Sequence, residues 1–211
     1  MEILLIRHGQ SNGNSKNIVQ GTQDEGLSEL GKEQANKLSE YFNVNDLSAI
    51  YSSNLGRAIQ TAEPTAKKLN LNIKINPDLQ EAGFGIWEGL TYEGVREQFP
   101  VEYSAWHKNY YIRPPWFESF ELHQKRIRKS IETILSNHSI DDKIAVFTHG
   151  GSIKTQVGFF MALSGEDLAQ FTIKNCSLTL VKFNPTTSYI HGKLLYYNKD
   201  VIESLVNKTH G

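Results

Sequence analysis

The sequence predicts an α/β fold, a three-layer sandwich with helices on both faces of a mostly parallel central sheet. Three observations carry that expectation. Short apolar runs such as residues 3–6 stop abruptly at a charged residue, as strands buried on both faces do. Segments with apolar residues at helical spacing alternate with those runs along the chain. The composition, 39% hydrophobic and 21% charged, suits a globular protein and not a disordered one.

Residues 3–6 form the first predicted strand. From 28 to 42, Leu30, Ala35, Leu38 and Phe42 recur at helical spacing, and Ser28 is placed to cap the helix. Residues 49–52 give a second strand and 55–69 a second helix. Pro64 lies inside that helix and predicts a kink or an interruption, because proline lacks an amide hydrogen and crowds the preceding turn. Residues 73–75 alternate as a short strand, and 77–89 form a glycine-rich loop. The stretch 91–137 is a mainly helical cap segment, divided by Pro100 and by Pro114-Pro115 into two short helices and a longer one from about Glu118. Residues 143–148 are strand-like, and a helix follows Gly150-Gly151 to about Leu163. Two last strands, 177–183 and 189–197, are joined by a turn at Asn184-Pro185. No repeat or linker divides the chain, and its 211 residues, 1–211, fit a single domain.

A net charge of −1 argues against a partner bound by neutralising phosphates along a polymer, so no nucleic acid is expected. The single Cys176 makes neither an intrachain disulfide nor a cysteine zinc site. Residues 1–7 have no basic leader and too short an apolar run for a signal peptide, and nowhere do roughly 18 apolar residues follow one another. A cytoplasmic protein without membrane contact is the expectation; the oligomeric state is not readable.

Ligands of such sheets collect at the carboxyl ends of the strands. Two predicted strand ends carry a histidine followed by glycine: Ile6-Arg7-His8-Gly9 and Phe147-Thr148-His149-Gly150. If the two strands are neighbours, His8 and His149 meet at one rim, and Arg57, in the first turn of the helix after 49–52, adds a cation. Glycine lets backbone amides approach a ligand closely. A guanidinium beside an imidazole disfavours the imidazolium and keeps the ring nucleophilic.

Competing motifs fail on residues. Gly26 to Lys32 resembles the start of a P-loop, but Glu33 stands where a hydroxyl must hold magnesium and no apolar strand precedes it. Gly83-Phe84-Gly85 has the wrong spacing to Gly89 for a dinucleotide fingerprint. Gly150-Gly151-Ser152 lacks the later glycine of a nucleophile elbow, and Cys176 lacks the arginine of a cysteine phosphatase loop. No histidine spacing suits a metal site.

The run Leu5-Ile6-Arg7-His8-Gly9-Gln10-Ser11 resembles the Arg-His-Gly signature of the histidine phosphatase superfamily, which includes the cofactor-dependent phosphoglycerate mutases. Further matches follow in the family's order: Asn14, Gln20-Gly21, Leu27-Ser28 with Gly31, the run from Ser52 to Ala62, Glu81 with Gly85 and Trp87-Glu88-Gly89, Glu118-Ser119, and Thr148-His149-Gly150-Gly151. The resemblance implies a phosphoglycerate mutase-like fold. It implies His8 as a nucleophile that becomes a phosphohistidine, and Arg7, Arg57 and His149 as the clamp on the phosphoryl oxygens. Asn14, Gln20, Gly21 and Gly150 become further contacts to the phosphoryl group or adjoining substrate, and Glu81 the proton donor. Glu88 is the competing acid, but it follows Trp87 and lies past the acid of the pattern. Neither metal nor cofactor is implied. The remaining histidines, His107, His123, His138, His191 and His210, have no motif context and read as surface or solvated residues.

Between about 92 and 120 the chain holds many aromatic residues, with Arg96, Lys108 and Arg113 as its only cations. Part of that aromatic surface is expected to be packing and the rest an apolar mouth over the phosphate pocket. A mutase needs extra cations for the carboxylate of phosphoglycerate. The expected activity is therefore metal-independent hydrolysis of a small phosphate monoester. Phosphoglycerate mutase activity is the alternative, and a catalytically silent phospholigand-binding protein a third.

Overall fold

A computed structural model describes residues 1–183 and 192–202. Among these, six strands form one sheet: β1 (Glu2–Arg7), β2 (Ala49–Ser52), β3 (Ile73–Ile75), β4 (Lys143–Thr148), β5 (Leu178–Phe183) and β6 (Gly192–Lys199). Their order across the sheet is β3-β2-β4-β1-β5-β6. The first four run parallel, whereas β5 and β6 are antiparallel additions on the far side of β1. The described helices are α1 (Asn12–Ser15), α2 (Glu29–Glu40), α3 (Gly56–Leu69), α4 (Tyr92–Gln98), α5 (Pro100–Lys108), α6 (Phe120–Ser136), α7 (Gly150–Met161) and α8 (Gly165–Gln170).

Alternation along buried strands sorts the core into two faces. Ile3 and Leu5 of β1, with Ile144 and Val146 of β4, pack against Ile131 and Ile134 of α6 and Val157 of α7. Leu4, Ile6, Ala145 and Phe147 point the other way, onto Leu38 of α2 and Ala62 and Ala66 of α3. The result is helix, sheet, helix, as the apolar runs predict. Each such aliphatic side chain contributes roughly 1.5–3 kcal/mol by leaving water, so a charge at Ile6 would disrupt the layer.

Several elements differ from expectation. The interruption at Pro64 does not occur: α3 is one helix, and Ala58, Thr61, Ala62, Thr65 and Ala66 are buried on both sides of the proline, so packing offsets the missing backbone bond. Asn70 then ends it in a left-handed conformation, φ 52°. Two short helices were not expected, α1 capped by Ser11 and α8 by Ser164. The loop at 77–89 contains two single 3₁₀ turns, Pro77–Leu79 and Gly85–Trp87. The turn proposed at Asn184-Pro185 and the start of the strand proposed from 189 lie outside the described residues.

A second, aromatic cluster forms away from the sheet. Val19, Trp87, Val95 and Phe117 are buried in it, and Phe99, Tyr103, Trp106 and Trp116 pack around them. Ring edges meet ring faces, as at Trp87 and Phe117, whose centroids are 4.8 Å apart at 88°. Thus α4 and α5 fold against the loop before them, while α6 belongs to the sheet layer.

Candidate active site

Strand register builds the floor. Arg7 of β1 pairs with Thr148 of β4, and Ser52 of β2 with Phe147, so His8, Ser53 and His149 leave three adjacent strands at one rim. The ladder continues one step further, with the His8 amide donating to Thr148 O at 3.0 Å and the Ser53 amide to Phe147 O at 2.9 Å. The two imidazole centroids are 5.2 Å apart.

His8 Nδ1 lies 2.7 Å from Gly9 O, and a carbonyl only accepts, so Nδ1 carries the proton and Nε2 keeps its lone pair. His149 Nε2 is 2.8 Å from Ser53 Oγ, which itself accepts from the Leu55 amide. The Ser53 hydroxyl can donate to Nε2, and in that tautomer Nδ1 of His149 is a donor. Burial, reinforced by Arg57 and Arg7, holds the His8 pKa well below 6.5. Burial likewise lowers that of His149, with Arg57, His8 and Arg7 adding to it. Both rings are neutral at pH 7.

The two arginines are aimed by backbone carbonyls. Arg57 donates through Nη1 to Gln23 O at 2.6 Å and through Nη2 to Gly21 O at 2.7 Å; Asp24 is 3.9 Å away. Arg7 donates through Nη1 to Ile173 O. Three buried nitrogens at this floor, Arg7 Nε, Arg57 Nε and His149 Nδ1, have no hydrogen-bond partner.

Gln20 accepts from Ser11 Oγ at 2.7 Å, and Asn14 Oδ1 from Asn175 Nδ2 at 3.2 Å. Gly21 has φ +52°, and a Cβ there would stand 2.0 Å from Glu88 Oε1, so a side chain would be strained and would displace Glu88. Arg7, His8, Arg57 and Glu81 line one cavity of about 290 Å³. Asn14, Gln20, Gly21 and Gly150 line it too. A larger groove of about 1120 Å³ between α2 and α3 contains none of these residues.

Glu81 and Glu88 separate clearly. Glu88 ties loops together, accepting from the amides of Thr22 at 3.0 Å and Phe84 at 2.8 Å. Glu81 faces the cavity, Oε1 accepting from the Ala82 amide and Oε2 from the Gly151 amide, both at 2.9 Å. Its loop is held from behind by Arg126, which donates to the carbonyls of Asp78, Gln80 and Glu81 at 2.7–2.9 Å. Arg126 also makes a two-pronged pair with Glu118, at 2.7 and 2.8 Å. Glu118 meets Gly83 as well, its amide donating to Gly83 O at 2.9 Å and its carboxylate accepting from the Gly83 amide at 3.3 Å.

Sequence reasoning missed Arg126, Phe84 and Lys154; the latter two line the cavity. Lys154 follows Gly150 by one helical turn, a spacing that points to the same face. From the aromatic stretch, Tyr92, Trp106 and Tyr110 reach the cavity. The reading of His123 as solvated is corrected. It is fully buried on the inner face of α6, 3.2 Å from both Ser152 Oγ and Thr155 Oγ1. Burial, then Arg113 and Arg126, hold its pKa well below 6.5.

The floor offers a lone pair and a ring of cationic and neutral donors, an arrangement suited to a tetrahedral oxyanion. The model of the histidine phosphatase superfamily (branch 1) matches residues 3–193. The chain belongs to this superfamily. Relatives include a phosphoserine phosphatase of Hydrogenobacter thermophilus, 29% identical over 90% of this chain and 86% of that protein. A 2,3-bisphosphoglycerate-dependent phosphoglycerate mutase of Parvibaculum lavamentivorans is 30% identical over 81% of this chain and 85% of its own length. Among solved structures, a mycobacterial glucosyl-3-phosphoglycerate phosphatase superposes with a TM-score of 0.86 at 25% identity, covering 94% of this chain and 99% of that one. The chain spans half the length of mycobacterial relatives to which it is 30% identical. Superfamily membership, with these phosphatases among its relatives, makes phosphoryl chemistry the frame for the site. Among the described residues, no helix is long and apolar enough to cross a membrane.

Proposed function

We propose that the protein hydrolyses small phosphate monoesters through a phosphohistidine on His8, without a metal ion. The observation that carries this reading is the fixed lone pair of His8 Nε2 among three buried nitrogens that lack partners. An unpaired buried donor costs roughly 1–3 kcal/mol, and a bound phosphoryl group relieves that cost at each of the three.

In the first step His8 Nε2 attacks phosphorus in line. The P–N bond forms as the P–O ester bond breaks, and Glu81 gives its proton to the departing alkoxide. Arg7, Arg57 and His149 hold the three non-bridging oxygens as charge shifts among them. In the second step water attacks the phosphohistidine, Glu81 takes the water proton, and the P–N bond breaks to release phosphate. Asn14, Gln20 and the backbone at Gly21 and Gly150 contact the phosphoryl group or the ester beside it.

A mutase must hold phosphoglycerate for the return transfer and exclude water. The cations of residues 92–120 lie elsewhere: Arg96 and Lys108 are exposed, and Arg113 donates to Glu118 O at 3.0 Å. Hydrolysis is the better reading.

The test is phosphate release from a panel of monoesters by wild type and His8→Ala, with and without chelator. His8→Ala is expected to lose about 10⁴-fold or more. Retained activity would sink the phosphohistidine route, and inhibition of wild type by chelator would sink metal independence. Isomer interconversion of phosphoglycerate outrunning phosphate release would favour the mutase.

A further inference from the structure

Which nitrogen of His8 keeps its lone pair depends on where one carbonyl points. The proton on Nδ1 is held by Gly9 O at 2.7 Å, and turning that carbonyl away would let the proton settle on Nε2, the atom that must stay bare. Gly9 is a poor anchor by itself. A Cβ there would stand 2.7 Å from Gly31 O, so the position excludes a side chain, and glycine restrains its own backbone least of all residues.

Three side chains from elsewhere in the fold hold the two peptide planes that flank it. In the plane between His8 and Gly9, the Gly9 amide donates to Thr61 Oγ1 of α3 at 2.9 Å, and His8 O accepts from Asn175 Nδ2 at 2.9 Å. The next plane carries Gly9 O itself, and its amide, that of Gln10, donates to Gln34 Oε1 of α2 at 2.8 Å. Thr61 is fully buried, and its hydroxyl hydrogen is committed to Arg57 O one turn earlier, at 2.6 Å. Its oxygen therefore meets the Gly9 amide only as an acceptor. Neither Thr61 nor Gln34 lines the cavity, so any effect they have on catalysis passes through the backbone of Gly9.

The geometry points to Thr61 and Gln34 as positioning residues for His8: by fixing the peptide planes around Gly9 they keep the ring in the tautomer whose Nε2 can attack phosphorus. The inference rests on the phosphohistidine reading above. Without these acceptors the Gly9 carbonyl is free to turn, and part of the population presents an N–H where a lone pair is needed. Phosphate affinity stays the same, because other groups hold the oxygens.

The experiment reads the His8 ring nitrogens by NMR in histidine-labelled protein at pH 7.5, identifying them by their loss in His8→Ala. It also measures nitrophenyl phosphate turnover and inhibition by inorganic phosphate in wild type, Thr61→Val, Thr61→Ser, Gln34→Met and Gln34→Glu. Wild type is expected to carry the His8 proton on Nδ1 alone. Thr61→Val and Gln34→Met, which remove the acceptor at similar volume, should each mix the tautomers and lower kcat/KM about tenfold, with the Ki of phosphate within about twofold of wild type. Thr61→Ser and Gln34→Glu keep an acceptor oxygen and restore most of that loss. A wild-type His8 protonated at Nε2 overturns the inference without any variant. So does an Nδ1 tautomer that persists in both Thr61→Val and Gln34→Met, or a loss of turnover matched by weaker phosphate inhibition, which marks a structural role. If wild type shows the expected tautomer but hydrolyses no ester, the phosphatase reading fails, and the spectra of the variants still decide whether these residues position the ring.

Discussion

Arg7, His8, Arg57 and His149 stand on strand ends or in the first turn of a helix, and backbone carbonyls or a buried hydroxyl aim each of them. Phe84, Tyr92, Trp106 and Tyr110 close the other side of the cavity from loops and short helices, and Phe84 and Trp106 are packed within the aromatic cluster. The floor inherits its precision from sheet register, in which a one-residue slip would turn every side chain over. The mouth inherits its shape from ring packing, which adjusts when one member changes. On the proposed function, chemistry and selectivity are supported by separate parts of the molecule.

The strongest test of that separation is Arg57→Lys, which keeps the charge but loses the fork that reaches two carbonyls and the phosphate together. Steady-state kinetics should show kcat/KM falling about 10²–10³-fold, equally for every ester. A loss confined to some esters would mean that the floor also selects. Next is Glu81→Gln, at the seam between the regions. Turnover of alkyl phosphates should fall about 10²-fold and that of nitrophenyl phosphate far less, because nitrophenolate leaves without a proton. Equal losses would remove Glu81 as the acid.

The floor and the α6–α7 contact behind it hold three buried neutral histidines, His8, His149 and His123. In each, the folded pKa lies below the unfolded value of about 6.5, so the unfolded chain binds protons first. Stability is then full above pH 6.5 and falls below it by about 1.4 kcal/mol per pH unit for each histidine. Urea unfolding at pH 7.5 and 5.5 should show a shallower fall for His123→Gln than for wild type; an unchanged fall would mean that His123 is not buried neutral. The smallest effect belongs to the mouth. Trp106→Leu should change KM by about three- to fivefold, in different directions for different esters, with kcat nearly constant. A uniform hundredfold loss would erase the distinction between the two regions.

The floor was legible because its residues follow recognisable local signals. His8 and His149 each end an apolar run before glycine, and the run from Ser52 to Ala62 carries Arg57 at a matching position. The mouth was legible only as a surplus of aromatic residues, since which ring packs and which faces the cavity depends on contacts far apart in sequence. Strand order was not readable either, because apolar runs do not say which neighbours they pair with. His123 does carry a signal in the sequence. It lies on the buried stripe of α6 with Phe120, Ile127, Ile131 and Ile134, and a polar residue on such a stripe needs buried partners. At Pro64 packing outweighs local propensity, so α3 runs through it without interruption.

The hydrogen bonds between Gly83 and Glu118 give residues 84–117 a closed neck. Inside the neck the segment is also bonded to residues 17–22 and to Gly165, so the stretches between those contacts are the ones free to vary. Closing a chain twice as long costs only about 0.6 kcal/mol more in entropy, so inserts of other lengths can be grafted there. Because Arg126 grips the Glu81 loop from α6, outside the neck, such grafts would alter which esters enter while the acid keeps its place.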